Sequence, residues 1–437
     1  MGPESATILV LGFLFFFIAI GIPLAIATLS TAIILGMSMF GFNSVLLIAN
    51  RLYDASTNYV LIAVPLFILM GVLMERGGIA ARLFTVLHIW SARLPGGMGV
   101  GCVFAGAIMA AMVGIVGAEI ITLGLVAMPA MLARGYDKRL TLGVICASGS
   151  LGAMIPPSLV LVFFGLIAGE SIAQLFAAAF VPGVLMALSY AGYIVIRASL
   201  QPSLAPPPTR EEIEMPLGEK LALGTGLILP ALIILGVLGS IYFGIAAPTE
   251  AAAIGVAGAL LAVTISGNFR LSDLHHTILQ TGRAIGPVLW VFLGANALIS
   301  IYSLSGGVNY LAGLIGSVDL PPMGIILVIL FLLFLLGMVM DWIGIAILTM
   351  PVFLPVVEGL GFDPIWFGVI FCISMQIAYL TPPIGASAFY LKSVAPPDVT
   401  LSEIFASIWP FVGLQLVVLA LVVAFPGLAL WLPAMLN

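Results

Sequence analysis

Apolar runs long enough to cross a bilayer recur along this chain from end to end, for example at residues 8–24, 60–74, 221–243, 325–340 and 411–432. A helix of about 20 apolar residues matches a hydrocarbon core of roughly 30 Å. In hydrocarbon every backbone N–H and C=O must find a partner within the protein, and runs of this kind satisfy that demand as helices. Hydrophobic residues make up 62% of the 437 positions and charged residues 7%, so a water-soluble globule could not hide the apolar side chains. The expected fold class is an all-α polytopic membrane protein with no soluble domain left over.

The net charge of -5 says little about partners, because the acidic residues cluster in one polar segment and the basic residues mark loops. No basic tract suggests nucleic acid. Cys102, Cys146 and Cys372 all lie in apolar runs without CxxC or Cys/His spacing, so they are expected to be buried packing residues, not disulfide or zinc ligands. The start, Met1 to Ala6, is acidic, and no small-residue cleavage site follows the first apolar run. That run is expected to be a retained span.

The first apolar block, about 40 residues, is too long for one span, and Gly21, Ile22 and Pro23 supply the break between two. Further spans are expected near 60–75, 141–168, 172–197, 221–243, 248–266, 284–304, 365–391 and 403–432. Two blocks remain, 99–131 and 325–356, each interrupted in the middle by small or polar residues. If both are re-entrant hairpins and the N-terminus lies outside, Arg76, Arg82, Arg93, Arg134, Lys138, Arg139, Arg197, Arg210, Lys220, Arg270, Arg283 and Lys392 fall on the cytoplasmic side. Only Arg51 is left outside, as the positive-inside rule expects. Making either block a full span would scatter the basic residues. The two hairpins then enter from opposite faces, which is the parity of an inverted repeat.

The repeat is legible in the residues. Gly135-Tyr136-Asp137 matches Gly361-Phe362-Asp363, Pro156-Pro157 matches Pro382-Pro383, and Pro129 matches Pro355, all 226 apart (361 minus 135, 382 minus 156, 355 minus 129). Gly77-Gly78 and Gly306-Gly307 extend the match upstream at an offset of 229 (306 minus 77). A polar stretch at 201–220, with Pro206 to Pro208 and Glu211, Glu212, Glu214 and Glu219, joins the halves as a cytoplasmic linker or surface helix.

The chemistry is expected at two breaks, Ser148 to Ser158 and Ala378 to Gly385, each centred on a proline pair. Paired prolines free carbonyl oxygens and glycines admit a close backbone. Freed carbonyls with a Ser or Thr hydroxyl suit a sodium ion, and the positive ends of half-helices suit a carboxylate. A plain proline kink is the competing reading. The hairpin turns facing these breaks, Val113 to Glu119 and Gly337 to Gly344, carry one acid each, Glu119 and Asp341. At membrane depth an acid marks an ion or proton pathway, or it caps the returning half-helix; both readings stand. Glu250 is expected to cap a helix opened by Pro248 or Thr249, and His88, His275 and His276 receive no role. There is no GxxxxGK[ST], HExxH or GxSxG, so nothing points to an enzyme.

In Ala63 to Gly71 running into Arg76-Gly77-Gly78-Ile79-Ala80, in Ile155-Pro156-Pro157-Ser158, in Ala247 to Ala253, in Met340-Asp341, in Gly361-Phe362-Asp363-Pro364 with Phe367-Gly368-Val369, and in Leu380 to Gly385, the chain resembles a known family. That family is the large membrane subunit (DctM-like) of the tripartite ATP-independent periplasmic (TRAP) transporters, and the resemblance covers nearly the whole chain. It implies a sodium-driven elevator importer of a small organic acid in the bacterial inner membrane; the competing reading is a stand-alone sodium- or proton-coupled anion carrier that needs no binding protein. Its partners would be a periplasmic substrate-binding protein and a separate small membrane subunit of four helices, with lipid around them. No cofactor is implied beyond sodium as the coupling ion.

The resemblance also divides the chain. Scaffold helices and an arm are expected at 1–98, the first hairpin and broken helix of a transport domain at 99–168, and a last helix of the first repeat at 169–200. After the linker, scaffold and arm recur at 221–324, the second hairpin and broken helix at 325–392, and a C-terminal helix at 393–437. Carried over residue by residue, one sodium site uses the first hairpin turn with Ser148, Ser150, Gly152, Ile155 and Ser158. The other uses Gly337 or Met340 with Ala378, Thr381 and Ile384. The solute would lie between the hairpin tips, near Gly114, Gly117, Glu119, Pro157, Ser158, Met340, Asp341, Pro383 and Gly385. Where the family usually has serines in the first turn this chain has Val113 and Ile115, and Ala378 stands for a usual glycine. A backbone carbonyl ligand survives either change; a hydroxyl ligand in the first turn does not.

Overall fold

A glycine in left-handed conformation and a proline that starts the next helix divide the first apolar block: α1 (Pro3–Ala19) ends at Gly21, φ 82°, and α2 (Leu24–Phe40) begins after Pro23. The computed structural model describes residues 2–114, 116–209, 214–265, 271–317 and 319–436. Expectations that fall on Met1, Ile115, Arg210, Glu211, Glu212 and Arg270 lie outside the described residues. The first half continues through α3 (Asn43–Ser56), α4 (Ala63–Arg76), α5 (Ile79–Ser91), α6 (Gly97–Val113), α7 (Val116–Ala133), α8 (Lys138–Ser150), α9 (Leu159–Ala168) and α10 (Ile172–Leu200). The second half holds α11 (Leu217–Gly224), α12 (Ile228–Tyr242), α13 (Pro248–Ile265), α14 (Leu271–Leu304), α15 (Gly307–Gly316), α16 (Pro322–Gly337), α17 (Trp342–Gly359), α18 (Pro364–Leu380), α19 (Ala386–Val394), α20 (Leu401–Ala424) and α21 (Gly427–Leu436).

Both interrupted blocks are helix-turn-helix units. α6 and α7 meet at Gly114, φ 63°, and pack on each other; α16 and α17 do the same around residues 338–341. Both proline pairs sit in breaks, between α8 and α9 and between α18 and α19, and each pair has a cis peptide bond. The repeated Gly-aromatic-Asp motif has a physical basis. Gly135 and Gly361 adopt left-handed backbone, at φ 77° and 82°, that ends one helix, and Asp137 and Asp363 accept amide protons that start the next. Upstream, the left-handed glycines that open α5 and α15 are Gly78 and Gly306. They stand 228 apart (306 minus 78), so the register there is one residue short of the 229 read from the glycine pairs.

Long-range packing exchanges elements between the halves. α2 lies along α14 while α13 lies along α4, α20 packs on α8 while α18 packs on α10, and α19 packs on α7 while α9 packs on α17. Neither half therefore completes its core alone.

Several elements depart from the expected spans. The run at 403–432 is two helices, because Pro426 cannot continue α20 and Phe425 before it leaves helical geometry at φ -126° and ψ 77°. The run at 221–243 is preceded by α11, which already begins at Leu217 within the expected linker, and a 3-10 turn at Thr225–Leu227 joins α11 to α12. α14 starts at Leu271, well before the expected 284, and contains His275, His276 and Arg283. Glu250 caps as expected, accepting the Ala247 amide proton at 2.8 Å.

The Trp366 indole is 1% exposed, stacks on Phe362 with ring centroids 5.2 Å apart, and donates to the Val422 carbonyl at 2.9 Å. It ties α18 to α20. Trp366→Ala is expected to cost roughly 3–5 kcal/mol, read as a lower thermal midpoint in detergent; a midpoint unchanged by the substitution would contradict this role.

Candidate functional site

The first break is wholly buried, with every residue from Leu151 to Ser158 inside the protein. The carbonyl that the proline pair frees at Ala153 is satisfied internally, accepting from the Ser158 hydroxyl and, at 2.8 Å, from the Cys372 thiol. At the first hairpin turn a Cβ on Gly114 would stand 2.8 Å from the Pro157 carbonyl oxygen, so the turn approaches the break through bare backbone. Beside it Glu119, in the first turn of α7, lays its carboxylate flat against Gly152 of the break.

The remaining residues predicted for a first sodium site do not all face this point. The Ser148 hydroxyl donates to the Val144 carbonyl at 2.6 Å, and its backbone lies against Gly106 of α6. Ser150 faces the opposite way, donating to Ala147 at 2.7 Å and accepting from the amides of Gln376 and Gln415 at 3.2 and 3.4 Å. Ile155 packs toward Gly183 of α10. Gly117 lies under the Tyr390 ring, whose atoms would be 2.8 to 3.0 Å from a Cβ there. The structure thus brings Gly114, Pro157, Gly152 and Glu119 to the first hairpin and turns the side chains of Ser148 and Ser150 elsewhere.

The second site is more open. Gly337, Met340, Asp341, Ala378, Ile384 and Gly385 all line one cavity of about 140 Å³ between the second hairpin turn and the second break. Gly337 and Ala378 are in close contact across it. Thr381 is buried beside the break, and its hydroxyl donates to Ile377 at 2.7 Å, which leaves its lone pairs free. Pro383 is exposed. Asp341 caps α17 by accepting the Ile343 amide proton at 3.2 Å, and its side chain is accessible from the cavity.

A larger cavity of about 500 Å³ joins the two halves of the site. One wall holds Gly114 and Val116 of the first hairpin, Ala153, Leu159 and Val160 of the first broken helix, Asp341, Trp342 and Ile343 of the second hairpin, and Met375, Tyr379 and Tyr390. The opposite wall comes from α2, α4 and α14, through Leu24, Ile68 and residues from Arg283 to Val291. The N-termini of α7, α9 and α17 all open onto this space; a helix N-terminus favours a negative group, and at α17 the Asp341 carboxylate already fills that role by accepting the Ile343 amide proton. Arg283, assigned to a loop end by sequence, is an exposed cation on the wall opposite them.

Sequence reading missed a buried polar cluster at the junction of the repeats. Gln376 and Gln415 each donate to the Ser150 hydroxyl and to the Tyr190 hydroxyl, and all four residues are fully buried. The signal was present, since Ser150 and Gln376 stand 226 apart. Cys146 and Cys372 share that offset (372 minus 146), and each donates to the other repeat's broken-helix region, Cys146 to Ser387 and Cys372 to Ala153.

Over residues 9–428 the chain matches the family described as the DctM component of the tripartite ATP-independent periplasmic transporter. The C4-dicarboxylate TRAP transporter large permease protein DctM of Pseudomonas aeruginosa is 31% identical over 404 residues, covering 91% of this chain and 92% of its own. The ectoine/5-hydroxyectoine TRAP transporter large permease protein UehC of Ruegeria pomeroyi is 31% identical over 374 residues, covering 85% of each. In fold, the chain is similar to the Alcanivorax borkumensis YdaH transporter, with a TM-score of 0.66 at 16% identity over 98% of both chains. Eight helical stretches among the described residues are long and apolar enough to cross a membrane. With matches of this extent, the chain is a multi-pass protein of the bacterial inner membrane and belongs to the DctM family, the large permease component of the TRAP transporters.

Proposed function

We propose that this chain is the permease of a sodium-coupled TRAP importer that moves a small organic acid, handed over by a periplasmic binding protein, by an elevator motion. The observation that carries this reading is the 500 Å³ cavity onto which three helix N-termini and Arg283 converge. Asp341 answers the α17 end, and the N-termini of α7 and α9 with one guanidinium are suited to a carboxylate. The cavity separates hairpins and broken helices on one side from α2, α4 and α14 on the other, which is where a moving unit would slide against a fixed one. Sodium would be held by freed carbonyls and hydroxyls at the two breaks, in the first near Gly152 and in the second around Gly337, Ala378, Thr381 and Ile384. The solute class follows the printed name of the Pseudomonas relative, a C4-dicarboxylate permease. A small four-helix subunit on a separate chain would brace the scaffold.

The test is uptake of a labelled dicarboxylate into proteoliposomes holding this chain and its small subunit, with and without the binding protein, under an imposed sodium or proton gradient. Uptake that needs both sodium and the binding protein is expected. Uptake without the binding protein would indicate a stand-alone carrier, and uptake on protons alone would overturn sodium coupling. In the same assay Arg283→Gln is expected to raise KM roughly 10–100-fold, the loss of one charged hydrogen bond; an unchanged KM would remove Arg283 from the solute site.

A further inference from the structure

Among the described residues Glu119 is the one fully buried acid, and the proposed transport cycle leaves it unexplained. Its side chain is 0% exposed, and among the described residues neither carboxylate oxygen has a hydrogen-bond partner. The Gly152 amide stands beside the carboxylate, outside hydrogen-bond geometry. A Cβ at Gly152 would lie 2.8 Å from the carboxylate carbon and 2.7 Å from Oε2, so the glycine is what lets the acid reach the break. An ionised carboxylate taken out of water with no partner is strongly destabilising, and the single helix N-terminus it sits on, that of α7, offsets only part of this. A capping role does not account for it either, since a capping carboxylate would have an amide hydrogen on it, as Asp341 has.

Among the described residues no ion pair reaches Glu119, and the helix interruption between α8 and α9, where backbone carbonyls leave their ladder, lies against it. The first hairpin turn offers no hydroxyl, carrying Val113 and, outside the described residues, Ile115. A carboxylate with both oxygens free, a peptide without a side chain next to it, and no other oxygen-bearing side chain in the turn form an incomplete coordination shell for a hard cation, which takes oxygen ligands.

We propose that Glu119 is an anionic ligand of the coupling cation at the first break, taking the place of the hydroxyl that this hairpin turn lacks. The proposal rests on the sodium-coupled reading above and assigns the chemistry of its first site. The cation neutralises the buried carboxylate, and any side chain at Gly152 would push the acid away. The second site, whose acid already caps α17, has no equivalent of this ligand: the position 226 residues after Glu119 is Ile345.

The experiment is sodium titration of the purified wild-type protein and of Glu119→Gln and Glu119→Asp in detergent, read by calorimetry and by the sodium-dependent rise in melting temperature, with potassium as the ionic control. Wild type is expected to bind sodium, Glu119→Gln to bind at least tenfold more weakly at one site, and Glu119→Asp to fall between. Without sodium, Glu119→Gln is expected to melt at or above the wild-type temperature, because it removes a buried acid that has no hydrogen-bond partner among the described residues; a purely structural acid would instead leave a less stable protein with an intact sodium response. Equal sodium affinity in wild type and Glu119→Gln would overturn the role of Glu119 while leaving sodium coupling standing. Absence of sodium binding in wild type would overturn the sodium reading itself. Should Glu119→Gln fail to fold, Gly152→Ala, which displaces the same carboxylate, is expected to weaken sodium binding, and unchanged binding would reject the proposal.

Discussion

Gly106→Val is expected to abolish uptake and to lower the melting temperature of the purified protein. A Cβ at Gly106 would stand 2.7 Å from the Ser148 carbonyl oxygen and 2.9 Å from its carbonyl carbon. Those are backbone atoms of α8 and cannot rotate aside as a flexible side chain would. Overpacking of this kind costs about 1–3 kcal/mol or more, and here it would lift the first hairpin from the half-helix that carries the first break. The control is Gly413→Val in α20, where a Cβ meets nothing within 4 Å; it is expected to leave uptake and melting near wild type. Wild-type uptake in Gly106→Val would mean that the hairpin does not need this seam.

Asp341→Asn is expected to reduce uptake roughly 10–100-fold, the range for losing one charged interaction, with little change in thermal stability. Asparagine caps a helix about as well as aspartate, so the hydrogen bond from the Ile343 amide is kept while the charge is removed. Asp341→Ala removes both and should cost about 1 kcal/mol in addition. The comparison separates the two readings of this acid, which is at once the N-cap of α17 and a wall of both cavities. If Asp341→Asn transports like wild type, the residue is a cap alone.

Much of the site was legible because its parts are punctuation. Proline pairs and glycine-rich interruptions act on the backbone of their own segment, so Pro156-Pro157, Pro382-Pro383 and the Gly114 turn fall where the chain predicts them. The 226 offset was legible for the same reason, since Gly135 with Asp137 and Gly361 with Asp363 stop and restart a helix by local geometry. Pro426 is a counterexample of the same kind, a local signal passed over within an apolar run that reads as one helix.

The facing of side chains was not legible. Ser148 and Ser150, two residues apart, point to different neighbours because α6 lies on one side of α8 and the α18–α20 bundle on the other. Arg283 reads as a loop-end cation by hydropathy and stands on the cavity wall because α14 starts earlier than its apolar stretch.

The sequence by itself determined the all-helical membrane fold, the two hairpins, the two breaks and the repeat that relates them. These follow from apolar run length, proline and glycine, which act within a few residues of themselves. Only the tertiary structure decided that Glu119 is buried against Gly152 without a hydrogen-bond partner among the described residues, that three helix N-termini and Arg283 share one cavity, and that Ser150, Tyr190, Gln376 and Gln415 meet at the repeat junction. Burial and partnership arise from contacts between segments far apart in the chain, and no local pattern of residues encodes which distant face a side chain will meet.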